Sequence, residues 1–197
     1  MKLHLGAFDQ IHPGWVNTDI TPHITIARVP GLWRVMRATG MLNERQARLH
    51  EAGVFRQLRK LDVSGRFPYG DASVEAIHTS HMIGTLMRAT AQNCLNECFR
   101  VLRPGGVLRI STIDLDAAVA GYDPKAADKF MDLIFCLDTS KKAKNRNWWV
   151  YNEQALGDRL HKAGFREICR CEYRQGRCPD VETIDSRPGS LILEAIK

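Results

Sequence analysis

Apolar positions recur along this chain in two rhythms. A period of two opens it: in KLHLG, Lys2 to Gly6, Leu3 and Leu5 fall on one side of a strand with His4 between them. Further short apolar runs predict strands at Trp15–Ile20, Leu58–Val63, Val74–Ser80, Phe165–Tyr173 and in the closing SLILEAIK. Helical spacing appears between them. Leu95, Cys98, Phe99 and Leu102 share a face, and Arg100 and Arg103 put cations in the last turn, where the helix dipole favours them. Pro104 cannot continue that helix, and Gly105 and Gly106 turn the chain into a buried strand containing Val107, Leu108 and Ile110. Leu32, Val35 and Met36 mark another helix, Asn43 to about Phe55 a third with Gly53 as an interruption, and Tyr151 to Ala163 a fourth that stops at Gly164. Helices alternating with apolar strands predict an α/β fold, its sheet mostly parallel and covered on both faces.

Length and composition narrow this picture only a little. The 197 residues suit one α/β domain, with 44% hydrophobic and 25% charged residues and no apolar run long enough to cross a bilayer. The first strand begins at Lys2, which leaves no room for a signal peptide, so a cytoplasmic location is expected. The six cysteines lack metal-like spacing and fall in separate elements, apart from Cys94 and Cys98 on one helix. Reduced thiols and no metal site are therefore expected. An excess of 28 Lys and Arg over 22 Asp and Glu is compatible with an anionic substrate, a nucleic acid or a membrane surface and requires none of them.

Candidate chemistry sits where strands end. Gly6 closes the first strand at its carboxyl end, where α/β folds place ligands and a missing side chain lets the backbone approach them. Only eight residues, 7–14, separate it from the next strand, so a full crossover helix is not expected. That second strand ends in Asp19, and Asp62 lies near the end of the third.

The segment ECFRVLRPGGVLRI resembles the approach to the fifth strand of class I S-adenosylmethionine (SAM) dependent methyltransferases. GWVNTDI resembles the G-W-x-N-x-D of a subgroup associated with polysaccharide biosynthesis. GRFPYGDASVEAIHTSH resembles that subgroup's L-P-F-P-D-x-S-F-D-x-I turn and strand, and LHKAGFREI its A-G-F segment. The resemblance spans nearly the whole chain. It implies a Rossmann-like sheet of about seven strands, the last antiparallel, in a single domain over 1–197 with a helical insertion at about 24–57. The insertion reads equally as a lid or dimer surface and as ordinary covering helices.

The same resemblance implies SAM as cofactor, S-adenosylhomocysteine as product, and a small-molecule or glycan-related acceptor. It assigns Gly6 and Ala7 to the cofactor loop, Asp19 to the ribose hydroxyls and Asp62 to the adenine amine, and puts His81 beside the cofactor and the acceptor. Asp114, after the fifth strand, becomes a candidate acceptor to a substrate hydroxyl, and a helix cap explains it equally well. Asp19 likewise has a turn aspartate as its plainer reading.

The chain departs from the family pattern twice. The glycine-rich loop is replaced by G-A-F-D, with Phe8 able to narrow the methionine end, and the usual H-x-L-E-H reads His81, Met82, Ile83, Gly84, Thr85. Those losses keep a catalytically degenerate scaffold in view. The basic and aromatic run Lys141 to Trp149 keeps a nucleic-acid partner in view, and homodimerisation through the insertion is a further expectation.

Overall fold

A computed structural model describes residues 1–135 and 146–197. The chain begins with β1 (Lys2–Leu5) and β2 (Trp15–Asp19), joined by a loop without a helix. The insertion follows as α1 (His23–Arg28), α2 (Leu32–Ala38) and α3 (Glu44–Glu51), before β3 (Arg59–Lys60) and β4 (Val74–Ser80). Next come α4 (Arg88–Val101), β5 (Leu102–Thr112), α5 (Leu115–Ala120) and α6 (Ala127–Phe135). The chain closes with α7 (Glu153–Ala163), β6 (Glu167–Arg170), α8 (Val181–Ile184) and β7 (Leu191–Ile196).

The seven strands form one sheet in the order β3-β2-β1-β4-β5-β7-β6, in which β7 runs antiparallel to both β5 and β6. The doubly wound sheet expected from the sequence is therefore present, with its last strand inserted beside β5. β3 keeps only two of the residues expected for it, because the chain turns at Asp62 to bond with Ser64.

The α4–β5 stretch shows how local chemistry sets the framework. Ala91, Cys94, Leu95, Cys98 and Val101 form the buried stripe of α4, and the helix stops one residue short of the Leu102 that its periodicity included. Leu102 pairs instead with Val74, and the β4–β5 register shifts before Ala76 meets Val107. Gly105 makes the shift possible with φ of +74°, and Gly106 is required because a Cβ there would sit 2.9 Å from Arg103 O and 3.0 Å from Glu75 O.

One face of the sheet is an apolar core. Leu3, Leu5, Ile77, Leu108, Ile110 and Leu193 pack there with Leu95, Leu156 and Leu160 of α4 and α7. The opposite face carries a polar row. Strand register aligns Asn17, His4, His78, Arg109, Glu194 and Cys169 across six strands. No crossover helix covers this row between β1 and β2; the 172–186 segment crosses it instead. Asp185 meets Arg109 there, and Cys178 and Ile184 pack with Trp15, Ala76 and Val107.

The insertion has its own small core of Ala7, Ile24, Ala27, Phe55 and Leu58. Within it, α2 buries no side chain, and Val35 and Met41 stand exposed. Asn43 caps α3 through a reciprocal capping box with Gln46. Among the described residues no helix is long and apolar enough to cross a membrane, and Cys94, Cys98, Cys169, Cys171 and Cys178 are free.

Candidate active site

A cavity of about 460 Å³ opens at the carboxyl ends of β1, β2 and β4, where doubly wound sheets bind ligands. Gly6, Phe8, Asp19, Asp62, Val63 and His81 are among the residues that line it. Of the sequence candidates, Gly6, Asp19, Asp62 and His81 thus come together, although 75 positions of chain separate the first from the last.

Gly6 is fixed by two independent constraints. Its φ is +70°, and a Cβ would stand 2.6 Å from Met82 Cγ. Phe8 follows in the same left-handed region at φ +43°, and His81 adopts φ +53°. Bulky residues rarely hold such angles, at a cost on the order of 1–3 kcal/mol each, and here both line the cavity.

Asp19 holds the loop that carries this strain. Its Oδ2 accepts from the Phe8 N–H at 3.0 Å and its Oδ1 from the Thr21 N–H at 2.7 Å. Both the turn role and an open acceptor role are therefore available, because a carboxylate offers about four lone-pair sites and the backbone takes two. The Phe8 ring packs edge-on against Phe55 at 5.7 Å between centroids, which ties the cavity loop to the insertion. Ala7 belongs to the core of the insertion at 2% exposure and is not among the residues lining the cavity, and its N–H donates to Thr18 O at 2.9 Å.

Asp62 is exposed. Ser64 donates to its Oδ1 through both N–H and O–H, and these bonds hold its carboxyl below the usual range. Ile20, Leu61, Val63 and Leu86 supply apolar wall beside the two carboxylates.

His81 Nε2 lies 3.0 Å from Ser190 Oγ, whose own proton is donated to Arg187 O at 3.0 Å. The imidazole must therefore be the donor at Nε2, which leaves the lone pair on Nδ1. Burial, and then the Arg187 cation, lower its pKa to about 4.

Asp114 is engaged by its own helix and by Arg170. It caps α5, with Oδ1 accepting from the N–H groups of Asp116 and Ala117, while Oδ2 takes Arg170 Nη2 at 2.8 Å. It is 6% exposed and not among the residues lining the cavity, and its observed bonds are those of a helix cap and an ion pair.

Gly84, which stands where the resembling pattern has Glu, leaves no room for a side chain. Gly84 O accepts from the Trp148 and Trp149 N–H groups, and a Cβ on Gly84 would stand 2.8 Å from Trp149 O. Gly84→Ala is therefore expected to lower stability by about 1–3 kcal/mol through overpacking, measurable by urea unfolding. Arg88 stacks over Trp149 at 4.5 Å and Arg146 over Trp148 at 3.9 Å. The basic part of that run, residues 141–145, lies outside the described residues, as does Cys136.

Residues 31–110 match the family described as a methyltransferase domain. Solved structures agree along the whole chain. A SAM-dependent methyltransferase of Thermotoga maritima, described as a possible histamine N-methyltransferase, superposes with a TM-score of 0.55 at 14% identity, over 100% of this chain and 81% of its own.

The fold is that of SAM-dependent methyltransferases.

A methyltransferase of Archaeoglobus fulgidus gives a TM-score of 0.54 at 12% identity, covering 100% of this chain and 85% of its own. PigF, solved with S-adenosylhomocysteine, gives 0.53 at 16% identity, and the chain spans 50% of its length. No curated protein matches in sequence.

Methyltransferases of this fold use SAM, and the cavity's donor set suits such a cofactor. Two carboxylates stand at the ends of neighbouring strands with apolar wall beside them, and Gly6, which packs against Met82, lines the same cavity.

Proposed function

We propose that this methyltransferase domain transfers the methyl group of SAM to a small-molecule acceptor, glycan-related in the first instance. The observation that carries the reading is the meeting of Gly6, Asp19 and Asp62 on one cavity wall at the carboxyl edge of the sheet. Asp19 would accept from the ribose hydroxyls and Asp62 from the adenine amine, while Ile20, Val63 and Leu86 would pack against the ring. The likeness of GWVNTDI and AIHTSH to the polysaccharide-associated subgroup supports the glycan-related acceptor.

SAM supplies a methyl group already activated on a sulfonium, so the chain's contribution is orientation and exclusion of water. His81 would stand on the acceptor side as a neutral base through Nδ1. With its pKa at about 4, its rate contribution should be constant through neutral pH and fall only as acid protonates it. A profile of kcat/KM against pH is expected to lack an inflection near about 6.5, the ordinary histidine value. His81→Gln should lower the rate by about 100-fold or more with SAM affinity preserved. A rate in His81→Gln within a few-fold of wild type would refute that role, and an inflection near about 6.5 that the variant removes would refute the lowered pKa.

Calorimetric titration of the nucleotide-free protein with SAM and S-adenosylhomocysteine tests the reading as a whole. Micromolar binding of either ligand is expected. Absence of heat and of any thermal shift with both would replace it with a scaffold that keeps only the fold.

A further inference from the structure

On the polar face of the sheet three histidines converge that are not among the residues lining the cavity. We propose that His4, His12 and His78 bind one divalent first-row metal ion, zinc foremost, which staples the loop after β1 to the sheet.

Strand register makes the cluster. His4 of β1 stands directly beside His78 of β4, and the loop leading to β2 brings His12 over both. The His4 ring lies 4.6 Å from that of His12 and 5.0 Å from that of His78, and His12 and His78 are 5.8 Å apart, between centroids. One ring nitrogen from each lies within 4.8 Å of the other two. Ligands sharing an ion at about 2.0–2.1 Å sit closer than that, so the rings would draw inward around it.

The second observation is a shortage of partners. His78 is fully buried, and neither of its ring nitrogens has a hydrogen-bond partner; His12 Nε2 is buried and unpartnered as well. A buried ring nitrogen without a partner is costly, and one ion would take one nitrogen of His78 together with Nε2 of His12.

Asn17 prepares the third ligand. Its Nδ2 donates to His12 O and Trp15 O, which fixes its Oδ1 as the acceptor facing the His12 N–H at 3.0 Å and His4 Nδ1 at 3.2 Å. His4 Nδ1 must then carry the proton, leaving the Nε2 lone pair for a metal. A residue behind a ligating histidine commonly sets its tautomer in this way.

The surroundings can balance a cation. Arg109 neighbours His78 but is outnumbered by Asp185 and Glu194, and Asp180 interacts electrostatically with His12 while pairing with Lys2. An all-imidazole donor set suits zinc, copper or nickel better than magnesium or calcium. The loop so held contains Gly6 and Phe8 of the cavity wall, so the ion would brace the cofactor loop from beneath.

The test uses the whole 197-residue chain without a polyhistidine tag, stripped by a chelator. Zinc is titrated by calorimetry and thermal shift, and cobalt by its visible ligand-field absorption. One equivalent per chain is expected, with a raised Tm and a low-coordinate cobalt spectrum. His12→Ala alters a loop residue outside the apolar core and should keep the circular dichroism while weakening zinc at least about tenfold. His78→Gln should lose binding too, and the paired change His23→Ala with His50→Ala should not. No thermal shift or cobalt spectrum at about 100 μM metal would overturn the proposal, as would equal binding by wild type and His12→Ala. None of these readouts depends on methyl transfer, so their failure would leave the proposed activity standing.

Discussion

Arg109→Leu is expected to remove about 3–5 kcal/mol of stability, close to the whole margin of many single domains. Arg109 is fully buried in the middle of β5 and is held by two carboxylates equally buried. Its Nε and Nη2 reach Asp185 at 2.9 and 2.5 Å, and Nη1 reaches Glu194 at 2.7 Å and Gln175 O at 2.9 Å. Those carboxylates also order the covering segment. Asp185 accepts from the Arg174 N–H, Glu194 accepts from those of Arg177 and Cys178, and Gly176 lies so close to the pair that a Cβ would stand 2.3 Å from Glu194 Oε1. A leucine would satisfy none of these groups and would leave two charges buried without a counterion. Urea unfolding followed by circular dichroism measures the loss. Arg37→Ala is the control: its partner Glu44 is well exposed, and about 0–1 kcal/mol is expected there. A loss at Arg109 no larger than this control would show that the segment over the polar row is held by packing alone.

Asp19→Ala is expected to weaken S-adenosylhomocysteine binding by about 1–3 kcal/mol, or about 5- to 150-fold. Two effects add. The ribose loses a charged acceptor, and the strained Phe8 conformation loses the bond from its N–H to Asp19 Oδ2. Asp19→Asn should fall between, because the amide keeps one oxygen for the backbone and turns its nitrogen toward donors. Asp62→Ala should cost less, since Asp62 is exposed and its Oδ1 already serves Ser64. Calorimetry on the three variants, with circular dichroism as the check on fold, decides the order. Equal affinity in Asp19→Ala and wild type would mean that the ribose lies elsewhere in the cavity.

Much of the candidate site was legible because it depends on where strands end. Gly6, Asp19 and Asp62 follow their strands in sequence, and a doubly wound sheet brings successive carboxyl ends to one edge. Asp114 follows a strand too, but its observed bonds go to the start of α5 and to Arg170. Whether an aspartate after a strand faces a ligand or caps the next helix depends on its side-chain rotamer and on Arg170, which is 56 positions away. Phe8 was legible as an anomaly and not as a solution: its contacts with Phe55 and His23 come from the insertion, whose path the local pattern does not fix.

The sequence by itself determined the succession of helices and strands, the covered parallel sheet and the edge at which a ligand would bind. Periodicity, helix stops and strand ends are local, and physical chemistry reads them within a few residues. Only the tertiary structure decided that Gly84 receives the Trp148–Trp149 backbone, that Arg109 is clamped between Asp185 and Glu194, and that His4, His12 and His78 meet. Spacings of 8 and 66 residues between those histidines resemble no metal motif. They become neighbours because β1 pairs with β4 in one register, and a slip by one residue would turn His4 or His78 to the other face.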